Sequence, residues 1–316
     1  MSQKDGPVNT QSAEIQRILG SYPESILAPG PILLVTGAVH GNEPSGPSAI
    51  KRVMDKLETL SPDIRGRIIG VVGNVKALTE GKRLIDRDLN RICTRDTAAA
   101  IKSGRYPGFH EANEFSSLLS IVDEMEADEN GRGINFMDLH TTSSPSVPYI
   151  SVNKRSENLN FANRIPLPVV SGIEDFIPGH FDHYLTLRGH VGFTLEAGQH
   201  EDPRSVDHHE SVIWATLVGA GMVDEKAIPD YQSHLELLRK VSVADDAFRV
   251  IYRHEIFPGD EFKMKPGFRN FDKVSPGELL AYSRGQQVFS EWDGYLFLPL
   301  YQNQGSDGFF IVQKCQ

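Results

Sequence analysis

Pro31-Ile32-Leu33-Leu34-Val35-Thr36-Gly37-Ala38-Val39 runs directly into His40-Gly41-Asn42-Glu43, and far downstream Gly133-Ile134-Asn135-Phe136-Met137-Asp138 runs into Leu139-His140. Both apolar runs are short and bounded by proline or glycine, the pattern of a buried strand. Each delivers its histidine just past the C-terminal end of a strand, where open α/β sheets place their active sites. Two imidazoles and one carboxylate suit a catalytic zinc, because they leave a coordination position open for water. Glu43 can share that ion if the loop turns back into the helix that follows. Alone, His-x-x-Glu is more often a solvated helix face, and a buried histidine is more often a hydrogen-bonded core residue. The metal reading rests on the combination with the segments below.

The chain has 316 residues, enough for a large core and two domains, and a formal net charge of −10. That balance, with no dense Lys/Arg run, argues against a nucleic-acid partner. No run of 18 apolar residues is present, so no membrane partner is expected. The N-terminus lacks a basic segment followed by an apolar one, and the only cysteines are Cys93 and Cys315. Both point to a reducing, cytoplasmic compartment. Homo-oligomerisation is left open. Arg83, Arg87, Arg91 and Arg95 stand four apart in one short stretch. They read either as one solvated helix face or as a pocket for an anionic small molecule, here one carrying a carboxylate.

Hydrophobic spacing predicts helices over 46–60, 110–125, 157–164 and 205–223, with strands over 67–72, 148–152 and 191–195. Residues 74–78 read as a short helical turn. The alternation predicts an α/β fold: a mixed, largely parallel sheet with helices on both faces. Beyond residue 228 the texture changes. Ala247–Glu255 alternates as a strand, and short β-like pieces recur between glycines, suggesting a small sandwich or barrel. The expected division is residues 1–228 as a zinc-hydrolase catalytic domain and 229–316 as a smaller C-terminal β-rich domain.

Within Gly81–Arg91, the pair Asn90-Arg91 sets an amide beside a guanidinium. Such a pair holds a carboxylate bidentately with a further donor to spare. Arg83 can reach another oxygen of the same substrate, and Asp86 and Asp88 balance these cations, Asp86 equally well as a surface charge. In Phe193-Thr194-Leu195-Glu196-Ala197-Gly198, Glu196 ends a predicted buried strand. A carboxylate is costly there without a task. Beside a metal's water it would serve as a general base, then pass the proton to a leaving amine. By itself, a strand-end glutamate is more often a cap or an ion-pair partner.

His40-x-x-Glu43, the Arg83 to Asp88-Leu89-Asn90-Arg91 block, Asp138-Leu139-His140-Thr141 and Glu196-Ala197-Gly198 resemble, in order and approximate spacing, the motifs of the succinylglutamate desuccinylase/aspartoacylase family, itself related to zinc carboxypeptidases. The resemblance covers roughly residues 30–225. It implies one zinc per chain held by His40, Glu43 and His140, with Glu196 as catalytic base and Arg83 polarising the scissile carbonyl. Asn90 and Arg91 would clamp the substrate's α-carboxylate, and Asp138 would orient a ligand imidazole.

The chain departs from both named activities. Aspartoacylases carry an arginine about ten residues before the glutamate; here that place holds Thr186, and Arg188 is the nearest arginine, either a substrate-binding substitute or a structural residue. Desuccinylases tend to have a Phe and a Lys around the glutamate where this chain has Leu195 and Gln199. Tyr301 matches the family's substrate tyrosine poorly. His180, His183, His208 and His209 lack an evident third ligand and read as surface or substrate-loop residues. The expected function is zinc-dependent hydrolysis of the amide of an N-acyl, acidic amino acid. The alternatives are a metallocarboxypeptidase acting on small peptides and a non-catalytic metal- or ligand-binding relative.

Overall fold

The structure is a computed structural model that describes residues 15–26, 28–105, 108–128, 133–242, 247–302 and 305–315. The apolar run before His40 is strand β2 (Ile32–Gly37), buried at every position; β1 (Ile18–Tyr22) precedes it. β2 lies parallel between β3 (Arg67–Val72) and β4 (Ile134–Thr142), with β1 antiparallel on the outer edge of β3. Beyond β4 come β7 (Val191–Gln199), parallel to it, then β5 (Tyr149–Val152), antiparallel, and β6 (Val169–Ser171), parallel to β5.

Alternation along β2 sends its side chains to two cores. Leu33 and Val35 pack with Ile50, Val53 and Leu57 of helix α1 (Ser45–Leu60) and with Trp214 of α7 (Arg204–Gly219). Ile32 and Leu34 pack on the opposite face, with Phe115, Leu118 and Val122 of α4 (His110–Asp128). Between these lie α2 (Val75–Glu80), α3 (Arg95–Lys102), α5 (Ser156–Ala162) and α6 (Phe181–Leu187). Helices therefore cover both faces, and each buried aliphatic contributes about 1.5–3 kcal/mol against leaving it in water. No described helix is long and apolar enough to cross a membrane.

The expected domain boundary does not fall as a break. Residues 231–241 form a further helix, α8 (Tyr231–Val241), whose Tyr231 and Leu238 join the α1/α7 core. The following strand, β8 (Ala247–Glu255), pairs parallel with β6 and extends the main sheet. β14 (Asp307–Lys314), β13 (Gly294–Phe297) and β10 (Lys273–Val274) continue it antiparallel, giving eleven strands among the described residues. Only β9 (Lys263–Met264), β11 (Leu279–Ser283) and β12 (Gln286–Phe289) form a separate, small antiparallel sheet. The arginine-rich stretch is likewise not one helix. Asp88 accepts from the backbone N–H of Asn90 and starts a single 3₁₀ turn, and Thr94 caps α3 separately.

Candidate active site

β2 ends at Gly37, and Ala38, with φ 56°, turns the chain toward the loop that carries His40 and Glu43. Gly41 is required there: a Cβ would lie 2.0 Å from the backbone of Ala77 on α2. β4 runs beside β2 and carries His140. The three side chains converge, with ligand atoms of His40, Glu43 and His140 all within 4.8 Å of one another and all buried. Glu43 bridges the imidazoles, accepting from His40 Nδ1 at 2.9 Å and from His140 Nδ1 at 3.0 Å. The outer ring nitrogens face carboxylates: His40 Nε2 lies 3.0 Å from Asp88 and His140 Nε2 lies 3.1 Å from Asp138. Thr36 in turn donates to Asp138 at 2.5 Å. Carboxylates on the far nitrogens fix ring orientation and leave both Nδ1 atoms facing inward, the usual outer shell of a metal-binding histidine pair.

The charges follow this packing. Burial opposes ionisation of Glu43, yet the two imidazoles outweigh it and hold the pKa well below the usual carboxylate range. Burial works against the Asp88 charge as well, and His40 and Arg83 reverse it. His140 is held well above the usual imidazole value, because Asp138 and Glu43 overcome its burial. A buried His–Glu–His set with both Nδ1 atoms turned inward is a donor set that fits a divalent cation such as zinc.

The loop 83–91 closes one side. Arg83 donates to Asp88 at 3.2 Å and lies 3.8 Å from Glu43. The backbone of the loop at residues 85–87 is gripped by the fully buried Glu111 of α4, which accepts from the N–H groups of Ile85, Asp86 and Arg87 at 2.7 to 3.3 Å. Asp86 caps the start of α4 through His110 N, so it is structural. Asn90 Oδ1 accepts from Phe181 N at the head of α6, and its Nδ2 lies 3.3 Å from His140 Nε2. Arg91 donates to His180 at 3.1 Å and to Asp307 of β14 at 2.7 Å.

Glu196, on β7, sits opposite His140 of β4 in register and opposite Tyr149 of β5. Its Oε2 is buried without a protein partner, as is the Tyr149 hydroxyl. Burial pushes the Glu196 pKa up to about 8, with His140 opposing. All of these groups line one cavity of about 310 Å³, walled on the other side by segments 298–302 and 305–307 and by Phe310 of the C-terminal strands.

His40, Glu43, Arg83, Asn90, Arg91, His140 and Glu196 thus meet in one cavity. Arg188 does not. It caps the end of α6 and turns to Asp123, at 2.7 Å, and Glu126 of α4, outside the cavity lining, so its candidacy as a substrate-binding residue is withdrawn. Tyr301 also faces away, donating to Lys265 O and accepting from Phe268 N. His208 and His209 are buried, not superficial: they donate to the carbonyls of Ala197 and His140 and support the two site strands from α7. His180 does reach the cavity, beside Arg91. Sequence reasoning missed Tyr149, Asp182, His200 and Asp307, which also line it. The alternation of Tyr149 and Ser151 on one strand face was the only local signal for any of them.

A family model, the succinylglutamate desuccinylase/aspartoacylase catalytic domain, matches residues 29–217. A succinylglutamate desuccinylase of Ectopseudomonas mendocina is 24% identical over 265 residues, spanning 79% of this chain and 72% of that protein. A probable aspartoacylase of Prochlorococcus marinus is 31% identical over 172 residues, 53% of this chain and 52% of the relative. The crystal structure of succinylglutamate desuccinylase/aspartoacylase from Rhodobacter sphaeroides superposes with a TM-score of 0.67 at 20% identity, covering 92% of this chain and 87% of that one. With the family model spanning more than half of its length, including His40, Glu43 and His140, the chain belongs to the succinylglutamate desuccinylase/aspartoacylase family.

Proposed function

We propose that this protein is a zinc-dependent amidohydrolase that cleaves the linear amide of an N-acyl amino acid, releasing a carboxylate and a free amino acid. Membership of the family supports a hydrolase acting on N-acyl amino acids. The observation that carries the finer reading is Glu196, a half-buried residue whose buried Oε2 has no protein partner and which shares a cavity with the His40–Glu43–His140 set. One zinc held by those three residues would supply a Lewis acid that polarises the amide carbonyl and makes water a better nucleophile at neutral pH. Glu196 takes the proton of the attacking water and returns it to the departing amine. Arg83, steadied by Asp88, donates to the oxygen on which negative charge develops, a contribution of about 3–4 kcal/mol for a well-placed donor. Asn90 and Arg91 receive the α-carboxylate.

The C-terminal segments that wall the cavity favour a small acylated amino acid over an extended peptide. The expectation of an acidic side chain loses its support with Arg188, since Arg83 and Arg91 are the only arginines or lysines among the described lining residues. Primary-amine release from a panel of N-acyl amino acids and C-terminally free dipeptides tests the reading, with zinc-loaded and chelator-treated protein in parallel. Release from acylated amino acids, lost on chelation and restored by zinc, is expected. Release from dipeptides alone would move the assignment to a peptidase, and silence across the panel would sink it.

A further inference from the structure

Side chains two apart along a strand share a face, so Thr194 lies on the cavity side of β7 one step deeper than Glu196. On the neighbouring strand Ser151 pairs with Thr194, just as Tyr149 pairs with Glu196. Asp182, in the first turn of α6, closes the same depth of the cavity. Its residue is only 6% exposed; Oδ2 accepts from Asn153 Nδ2 at 3.1 Å, Oδ1 from His183 N at 2.7 Å, and the carboxylate also accepts from the Thr194 hydroxyl. A carboxylate has about four acceptor positions, so capacity remains.

Among the described lining residues the cavity floor therefore offers two hydroxyls and a carboxylate, and no arginine or lysine. The two arginines of the cavity are already matched, Arg83 by Asp88 and Arg91 by Asp307. A substrate bringing a second carboxylate to this floor would bury it beside Asp182 with no free arginine or lysine to pair it, which costs more than the hydroxyls return. An ammonium would meet a buried carboxylate whose ionisation burial disfavours, with a pKa pushed up to about 6, and would complete its pairing.

We propose that the amino acid released by this protein carries a cationic side chain, and that Asp182, with Ser151 and Thr194 beside it, accepts from that ammonium and sets the preference. The inference rests on the amidohydrolase reading above and names its substrate class. The test compares Nα-acetylornithine, Nα-acetylglutamine and N-acetylglutamate on the zinc-loaded protein, which share an acyl group and differ at the end of the side chain. The ornithine derivative is expected to exceed the glutamate derivative in kcat/KM by at least about a hundredfold, toward the roughly 10⁴–10⁵ of a site built around a substrate's polar group. Asp182→Asn is expected to lower the ornithine-to-glutamine ratio by tenfold or more. If the glutamate derivative is turned over as well as the ornithine one, the proposal falls while the amidohydrolase reading stands. A cationic preference that Asp182→Asn leaves unchanged removes Asp182 from the role. Hydrolysis of none of the three, while other N-acyl amino acids of the panel above are cleaved, overturns this inference and leaves the amidohydrolase reading; silence across that panel as well overturns both. Should the variant fail to fold, the order among substrates on the unaltered protein decides.

Discussion

Arg91 donates to Asp307 at 2.7 Å across 216 positions of sequence, and the other oxygen of that carboxylate accepts from Arg253 at 2.6 Å. The residue proposed to clamp a substrate carboxylate is thus already paired with one supplied by the C-terminal strands. Arg91 has two other anchors, the carbonyl of Asn90 and His180, so its position does not depend on Asp307 alone. Competition then outweighs orientation. Asp307→Asn is expected to lower KM for a carboxylate-bearing substrate by up to about fivefold with little change in kcat, the scale of a half-exposed ion pair. Steady-state kinetics decides: a raised KM would mean that Asp307 holds the guanidinium in place.

Glu196→Gln keeps the shape of the site and removes the group proposed to accept the water's proton. Turnover is expected to fall by about 10²–10⁴, the usual contribution of a positioned general base. Zinc content by atomic absorption and substrate binding by calorimetry are expected to be retained. Activity near that of the unaltered protein would remove Glu196 from the role assigned to it.

Glu111 touches neither the metal set nor the cavity, yet it collects the N–H groups of Ile85, Asp86 and Arg87 and so shapes the loop that presents Arg83 and Asp88. Glu111→Gln turns an amide toward donors that need an acceptor. A loss of roughly 2–3 kcal/mol is expected, which lowers Tm by roughly 4–12 °C in a chain of this size. The value of kcat/KM should fall with it, as Arg83 moves. An unchanged melting curve would show that the loop holds its shape without this carboxylate.

What could be read from the sequence followed from local pattern. Ile32–Gly37 and Ile134–Thr142 announce themselves as buried strands, and the histidines that follow or end them are placed by chain geometry alone. The partners that make those histidines useful are not local. Asp88 reaches His40 across 48 positions, and Glu111 sits a helix away from the loop it holds. Arg188 misled because its spacing to Glu196 approximates that of a family arginine, whereas the end of α6 directs it to α4. Residues 231–241 were absorbed into the β-rich region because the glycine-punctuated strands after them dominate the pattern, while the leucines of α8 have the spacing of a helix packed on α7. That β8 joins β6 depends on the pairing of two strand edges, which no single segment encodes.

His209 offers a pH test of the scaffold behind the site. It is fully buried in α7, donates to the carbonyl of His140 at 3.0 Å, and burial lowers its pKa to about 3. In the unfolded chain the group titrates near 6.5. Between those values the unfolded state binds a proton that the folded state does not, so stability falls as pH drops from about 6.5 toward 3 and is fully restored above 6.5. At ~1.4 kcal/mol per unit the contribution reaches roughly 4–5 kcal/mol at the acid end. Glu43 and Asp88 add acid sensitivity of the same sign, and Asp182, raised to about 6, opposes it. His209→Gln retains a donor for the carbonyl and removes only the titration. The difference in unfolding free energy between the two proteins, from urea titrations at pH 4 to 8, should therefore narrow as pH falls and stay flat above 6.5. Parallel curves across that range would mean that His209 accepts a proton in the folded protein as readily as in the unfolded one.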